Sequence, residues 1–228
     1  MAEVDTFMAG QSFFSRLFYR LLRGLVVFVC VSYTRATVIG KENIPKSGAF
    51  LLAPIHRSNI DTPLAAYVSS RRLRFMGKDS IWKFAPIGWV LSALGAFPVT
   101  RGSADREALK RCIAVLEAGE PLVLFPEGTR QSGPIVQPLF DGAAYVAVKA
   151  GVPIIPVGIG GSERVMPKGS KMIYPRKCVL VVGEPIIAAM DETGRVPRSA
   201  VKDVTSRLYE DLQRLFDEAQ RLAGTPNG

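Results

Sequence analysis

The sequence has a single histidine, His56, and only three cysteines, Cys30, Cys112 and Cys178. One histidine excludes every metal site that needs two or more imidazole ligands. Three scattered cysteines with no Cys-x-x-Cys pair exclude a disulfide framework and a zinc ribbon, and point to buried, reduced thiols. Acidic residues are scarce relative to basic ones, 20 against 29 in 228 residues, leaving a net charge of +9. An excess of that size calls for an anionic partner: nucleic acid, an anionic membrane or a phosphorylated substrate. Long apolar runs are missing too. The uncharged stretch Gly24–Thr34 falls well short of the roughly 20 residues that span a bilayer. Phe84–Thr100 is interrupted by Pro86, Gly88, Gly95 and Pro98 and reads as core. Glu3 and Asp5 ahead of the first apolar stretch make a poor signal peptide. The chain contains no P-loop, no G-x-G-x-x-G, no G-x-S-x-G elbow, and no basic surface interleaved with aromatics of the kind that stacks on bases.

What is present is an ordinary globular balance, 48% apolar and 21% charged, in a length suited to one domain. Short apolar runs bounded by Gly or Pro predict strands at 36–39, 49–53, 73–76, 96–99, 122–125, 154–158 and 178–182. Helical periodicity predicts helices over 61–68, 87–94, 103–118 (with Ser103 as N-cap), 142–149 and 197–223. This alternation predicts an α/β fold: a single domain with a mixed, mostly parallel sheet flanked by helices. The division expected is an N-terminal helix within residues 1–34 and a domain over residues 35–228 that includes the last helix.

That first helix, over residues 12–33, carries Phe14, Leu17, Phe18, Leu21, Leu25 and Phe28 on one face and Arg16, Arg20 and Arg23 on the other. Such a helix lies in an anionic bilayer surface, or else packs on the domain with its arginines in water. Elsewhere the positive charge concentrates in two segments, Arg71–Lys83 and Ser162–Lys177, each with five basic residues and one acidic. The last helix is close to neutral.

Three segments carry chemistry. In Pro54–Pro63 the lone histidine follows a buried strand and precedes a helix, at the strand end where α/β folds bind ligands. With His56 on the loop and Asp61 in the first helical turn, the carboxylate can accept the Nδ1 proton and leave Nε2 as a base. Alternatively, His56 is a plain loop residue and Asp61 a carboxylate favoured by the helix dipole. Without an enzyme nucleophile, such a base acts on a hydroxyl or water that the substrate brings. The second segment, Phe125-Pro126-Glu127-Gly128-Thr129-Arg130, again follows a strand. Gly128 permits positive φ, so backbone N–H groups can point into the site, and Arg130 can grip a phosphate. An ordinary turn with an Arg–Glu surface pair is the competing account. The third, Gly95 to Arg101, delivers another arginine from a strand end.

Together these segments resemble the glycerolipid acyltransferases, the 1-acylglycerol-3-phosphate acyltransferases and their glycerol-3-phosphate relatives. His56 and Asp61 match the family's H-x-x-x-x-D box. Gly95–Arg101 resembles its second motif, Phe125–Arg130 with Ser132 its Phe-Pro-Glu-Gly-Thr-Arg motif, and Val152–Val157 its Val-Pro-Ile-Ile-Pro-Val motif. Gly77-Lys78 through Trp89 is similar to a further family segment. The similarity runs over about residues 35–185. Three positions depart from the pattern: Ile55 stands where Asn usually precedes the histidine, Phe97-Pro98-Val99 interrupts the second motif, and Phe140-Asp141-Gly142 lacks the usual basic residue.

The resemblance implies the glycerolipid acyltransferase fold. It also implies acyl transfer from acyl-CoA, or from acyl carrier protein, to a glycerol phosphate hydroxyl, most simply 1-acylglycerol-3-phosphate giving phosphatidic acid in phospholipid biosynthesis. Glycerol 3-phosphate as acceptor is the alternative. A non-catalytic basic module that binds membranes or nucleic acid is the distant one. His56 would be the base and Asp61 its support. Backbone N–H groups near Gly128 and Thr129, with Lys78 as a further candidate, would stabilise the oxyanion. Arg101 and Arg130 would bind the acceptor phosphate, with Glu127 on the glycerol hydroxyl or holding an arginine. The run Ile87–Phe97, including Trp89, Leu91 and Leu94, would line an acyl channel or form plain core. No cofactor, metal or nucleic acid is expected. The expected location is the cytoplasmic face of the cell membrane, as a peripheral or monotopic protein.

Overall fold

The computed structural model describes residues 12–99, 106–167, 169–170, 172–187 and 195–226, apart from the side chains of Ser15 and Lys78. The expected phosphate ligand Arg101 and the expected N-cap Ser103 lie outside the described residues.

All seven anticipated strands form and join one sheet in the order β1-β7-β6-β2-β5-β3-β4. They are β1 (Thr37–Ile39), β2 (Leu51–Pro54), β3 (Arg74–Lys78), β4 (Ala96–Val99), β5 (Leu122–Val123), β6 (Ile154–Gly160) and β7 (Val179–Val182). Every neighbouring pair is parallel except β6–β7. The central strands β2, β5, β6 and β7 are buried throughout, which is why they read as unbroken apolar runs. β5 is shorter than expected, ending at Val123, and Phe125 beyond it stacks on the ring of His56.

The helices are α1 (Phe13–Thr34), α2 (Asp61–Val68), α3 (Ala85–Ala93), α4 (Arg106–Glu117), α5 (Gly142–Ala150), the single turn α6 (Ser162–Val165) and α7 (Arg198–Ala223). α4, α5 and α7 pack side by side over β5, β2 and β6. α7 lays the stripe Val201, Val204, Leu208, Leu212 and Leu215 on the sheet. It approaches β6 so closely that a Cβ on Gly158 would come 2.3 Å from the Leu215 backbone, and one on Gly160 would come 2.2 Å from that of Ala219. Glycine at these two places sets how deep α7 sits, and so where Phe216 meets the active-site loops.

α1 packs on α2 and α3 with its apolar stripe turned outward. Phe14, Leu21, Leu25 and Phe28 are 60–80% exposed, while Tyr19 is buried. The continuous helix is long and apolar enough, by length and composition, to cross a membrane. That differs from the expectation that no segment suffices, which counted only uncharged residues. Arg16 and Arg20 are exposed as expected, but Arg23 is not free on the polar face. Its guanidinium donates to the carbonyls of Ala66 (2.6 Å) and Ser69 at the end of α2 and so fastens α1 along the domain. These are the last carbonyls of a helix, which lack partners of their own. The run Ile87–Phe97 is not uniformly core. Ile87 and Trp89 are exposed, and Trp89 meets Phe18 of α1 at 5.3 Å between ring centroids.

Candidate active site

β2 and β5 are adjacent and parallel, with Leu51 opposite Leu122 and Leu52 opposite Val123. Their C-terminal ends therefore open side by side, and the two chemistry-bearing loops meet there. Asp61 is fully buried at the first turn of α2, where the helix dipole favours its charge. Its Oδ2 accepts the backbone N–H groups of Arg57 (2.6 Å) and Ser58 (2.6 Å) and lies 3.1 Å from Nδ1 of His56. The loop thus winds around the carboxylate, which is fixed independently of the imidazole. With the proton on Nδ1, His56 donates to Asp61 and Nε2 makes no hydrogen bond among the described residues. Phe125 holds the ring face, stacked at 4.0 Å and 21°. The His56 side chain keeps 15% of its surface open. Of the two readings of this pair, the dyad is the one that forms. Ile55, at the departing position before it, is core, and its N–H donates to the carbonyl of Val157.

Both carboxylate oxygens of Glu127 are taken up by groups of the protein itself. The residue is buried, and both oxygens are engaged by Arg57 Nη1 at 2.8 and 2.9 Å. Oε2 also accepts the N–H of His56 (3.0 Å) and Oε1 that of Gln137 (3.0 Å). Glu127 therefore holds an arginine, but the arginine is Arg57, and the surface pair with Arg130 does not form. Arg57, 1% exposed, reaches the carbonyls of Ile135 (3.2 Å) and His56 (3.3 Å) and lies 4.9 Å over the ring of Phe216 on α7. Sequence reasoning missed it, because an arginine in a polar loop looks like a surface cation. The available signal was Glu127: a carboxylate straight after a buried strand needs a cation, and Arg57 sits at the end of the neighbouring strand.

Gly128 adopts φ +70°, as its place in the turn suggested, and a Cβ there would meet the Phe140 ring at 2.7 Å. The expected oxyanion donors are otherwise engaged. The turn closes on itself, Gly128 N–H donating to Phe125 O (3.0 Å) and Thr129 N–H to Glu127 O (2.8 Å). Of the N–H groups of Glu127–Arg130, those of Glu127 and Arg130 make no hydrogen bond among the described residues; Arg130 is next to Gln131, whose own N–H donates to the carbonyl of His56 (2.8 Å). The half-buried Arg130 side chain has no carboxylate within ion-pair distance among the described residues. Lys78 closes β3 opposite Val99. At the departing position after the turn, Asp141 accepts a hydrogen bond from Thr205 (3.0 Å) and ties α5 to α7.

Two of the three thiols, Cys112 and Cys178, are buried and offer no competing nucleophile. Burial pushes Cys112 and Cys178 up to about 12, so both stay protonated at neutral pH.

Several known proteins are similar to this chain. The chloroplastic 1-acyl-sn-glycerol-3-phosphate acyltransferase of Brassica napus is 28% identical over 74% of this chain and 50% of its own length. The chain thus spans about half the length of this relative and of its Arabidopsis thaliana counterpart. The 1-acyl-sn-glycerol-3-phosphate acyltransferase of Bacillus subtilis is 30% identical over 81% of this chain and 90% of its own. Among solved structures, the 1-acyl-sn-glycerophosphate acyltransferase PlsC of Thermotoga maritima superposes with a TM-score of 0.70 at 25% identity, covering 93% of this chain and 90% of that one. The sequence model of the family described as Acyltransferase matches residues 35–160, more than half of the chain, and with these relatives it shows that the chain belongs to the acyltransferase family.

Proposed function

We propose that the chain transfers a fatty acyl group from a thioester, on coenzyme A or acyl carrier protein, to the free hydroxyl of 1-acylglycerol 3-phosphate, giving phosphatidic acid. The observation that carries this reading is the His56–Asp61 pair, with Nδ1 against a buried carboxylate anchored through its Oδ2 and Nε2 unengaged among the described residues. The relatives are named for this acceptor.

In the proposed step, Nε2 of His56 removes the proton from the acceptor hydroxyl as its oxygen attacks the thioester carbonyl. Asp61 orients the ring and stabilises the imidazolium. The tetrahedral oxyanion takes the free N–H of Arg130, with Lys78 a second candidate. It then collapses, the C–S bond breaks, and the leaving thiolate recovers the proton from His56. The Arg130 guanidinium, with Arg101, meets the acceptor phosphate in a two-pronged grip.

The test is thiol release from a long-chain acyl-CoA in the presence of 1-acylglycerol 3-phosphate, with the new ester located by mass spectrometry. Arg130→Ala should raise the acceptor KM at least about tenfold, the loss of one charge-assisted contact, and leave the acyl-donor KM unchanged. An effect confined to the donor KM would remove Arg130 from the acceptor site. Acylation of glycerol 3-phosphate in preference to its 1-acyl form would replace the acceptor.

The outward face of α1 supports placement on a membrane surface. Leu21→Glu/Leu25→Glu alters two residues 67% and 60% exposed, so folding should be unaffected. Flotation with anionic liposomes should fall sharply, because a helix binds the interface through its buried apolar area. Unchanged flotation would assign the membrane contact elsewhere.

A further inference from the structure

One of the two basic segments, Ser162–Lys177, plays no part in the chemistry above. It contributes to a cavity of about 200 Å³ where β6 ends and β1 begins, lined by Arg35, Arg164, Arg176 and Lys177 together with Gly161 and Thr225. None of these six touches His56, Asp61 or Glu127 through the hydrogen bonds of the active site. Five of them lie beyond residue 160, outside the stretch that the family model matches.

The convergence is built by the backbone. Gly161 has φ +81°, and a Cβ there would come 2.1 Å from the carbonyl oxygen of Lys177, so only glycine lets α6 and the segment before β7 approach closely enough to share one cavity. Arg35 is the sole non-glycine residue with positive φ (48°) among those described. It directly follows α1, at a position where glycine relieves strain, yet an arginine is held there. Lys177 has a structural role, donating from Nζ to the carbonyl of Leu222 (2.9 Å) near the end of α7. The guanidiniums of Arg35, Arg164 and Arg176 have no hydrogen bond and no carboxylate within 4 Å among the described residues. Gathering like charges without a counter-charge destabilises the folded chain, and a bound anion relieves it.

The chemistry narrows the anion. Planar guanidiniums favour oxyanions that accept two parallel hydrogen bonds, and a phosphate monoester offers three oxygens and close to two charges. The cavity is smaller than the roughly 300–1,000 Å³ of sites for drug-sized ligands, so it fits a headgroup and not a chain. The exposed Met172, Ile173 and Tyr174 directly precede the lining residues Pro175 and Arg176 along the chain, an apolar rim by chain continuity. Tyr33 of α1 donates to the carbonyl of Ile173 (2.9 Å) and joins this rim to the outward apolar face of α1. We propose that the cavity is a second phosphate site, separate from the active site, that takes the phosphate-monoester headgroup of an anionic lipid whose chains lie along the apolar rim. The proposal stands whether or not the acyl-transfer reading holds.

The experiment compares the full chain with Arg164→Ala/Arg176→Ala, both exposed positions, in two arms. In the first, binding is measured to phosphatidylcholine vesicles doped with phosphatidic acid, a monoester, or with the same charge of phosphatidylglycerol, a diester. The unaltered chain should prefer phosphatidic acid by roughly tenfold, the worth of a charge-assisted contact, and the double variant should lose most of that preference. In the second, calorimetry with inorganic phosphate alone reads the site without a lipid. Saturable phosphate binding that vanishes in the variant, with no preference between vesicles, would keep the site and make free phosphate its ligand. Equal behaviour of the two proteins in both arms would overturn the proposal.

Discussion

Replacing His56 by alanine is expected to lower turnover by roughly 10²–10⁴, the usual worth of a positioned general base, which is about 3–5 kcal/mol of barrier. The magnitude follows from what the ring alone supplies. Asp61 keeps its two backbone N–H partners, and Glu127 keeps both Arg57 and the His56 N–H, which belongs to the backbone. The loop should therefore hold its shape, because none of these bonds involves the ring. Asp61→Asn separates orientation from charge. It retains an oxygen for the loop N–H groups but weakens support of the imidazolium, and should cost less than His56→Ala. Steady-state turnover with saturating donor and acceptor decides. Activity of His56→Ala equal to that of the unaltered chain would dismiss the dyad, whatever its geometry.

The largest stability effect is expected at a residue that touches no substrate. Arg57→Met leaves Glu127 buried with its principal counter-charge gone. Removing one partner of a buried ion pair costs about 3–5 kcal/mol, here a fall of roughly 6–20 °C in Tm for a domain of this size. Turnover should fall as well in molecules that remain folded, because Glu127 fixes the backbone of His56 through a 3.0 Å bond. Arg57→Met/Glu127→Leu removes both charges and should regain much of the melting temperature, since a buried pair replaced by apolar residues is often near neutral. It should not regain full turnover, because the His56 N–H then has no carboxylate to meet. Thermal melts and turnover on the single variants and the pair form a cycle. Single variants that melt like the parent would show that the pair is not structural. Full activity in the double variant would show that it does not position the histidine.

The sequence by itself determined the seven strands, because each is a short apolar run closed by Gly or Pro and buried where it is central. It determined α2, α5 and α7 to within a residue or so, α7 because its apolar positions repeat at three and four. It pointed to the His56–Asp61 pair through the resemblance to the acyltransferase motifs, since the interval of five alone left a plain loop histidine open. Only the tertiary structure decided the rest. Which cation answers Glu127 depends on β2 and β5 being neighbours in the sheet, a pairing between segments about 70 residues apart that no local pattern encodes. Whether Gly128 and Thr129 present their N–H groups depends on how tightly the turn closes, and it closes on its own carbonyls. Arg23 looked like one more outward charge on a periodic helix, until α2 placed two unpartnered carbonyls beneath it. Periodicity reports which residues share a face. What that face meets is set by long-range packing, and packing assigned Arg57 and Glu127 to the scaffold of the site and left Arg130 open.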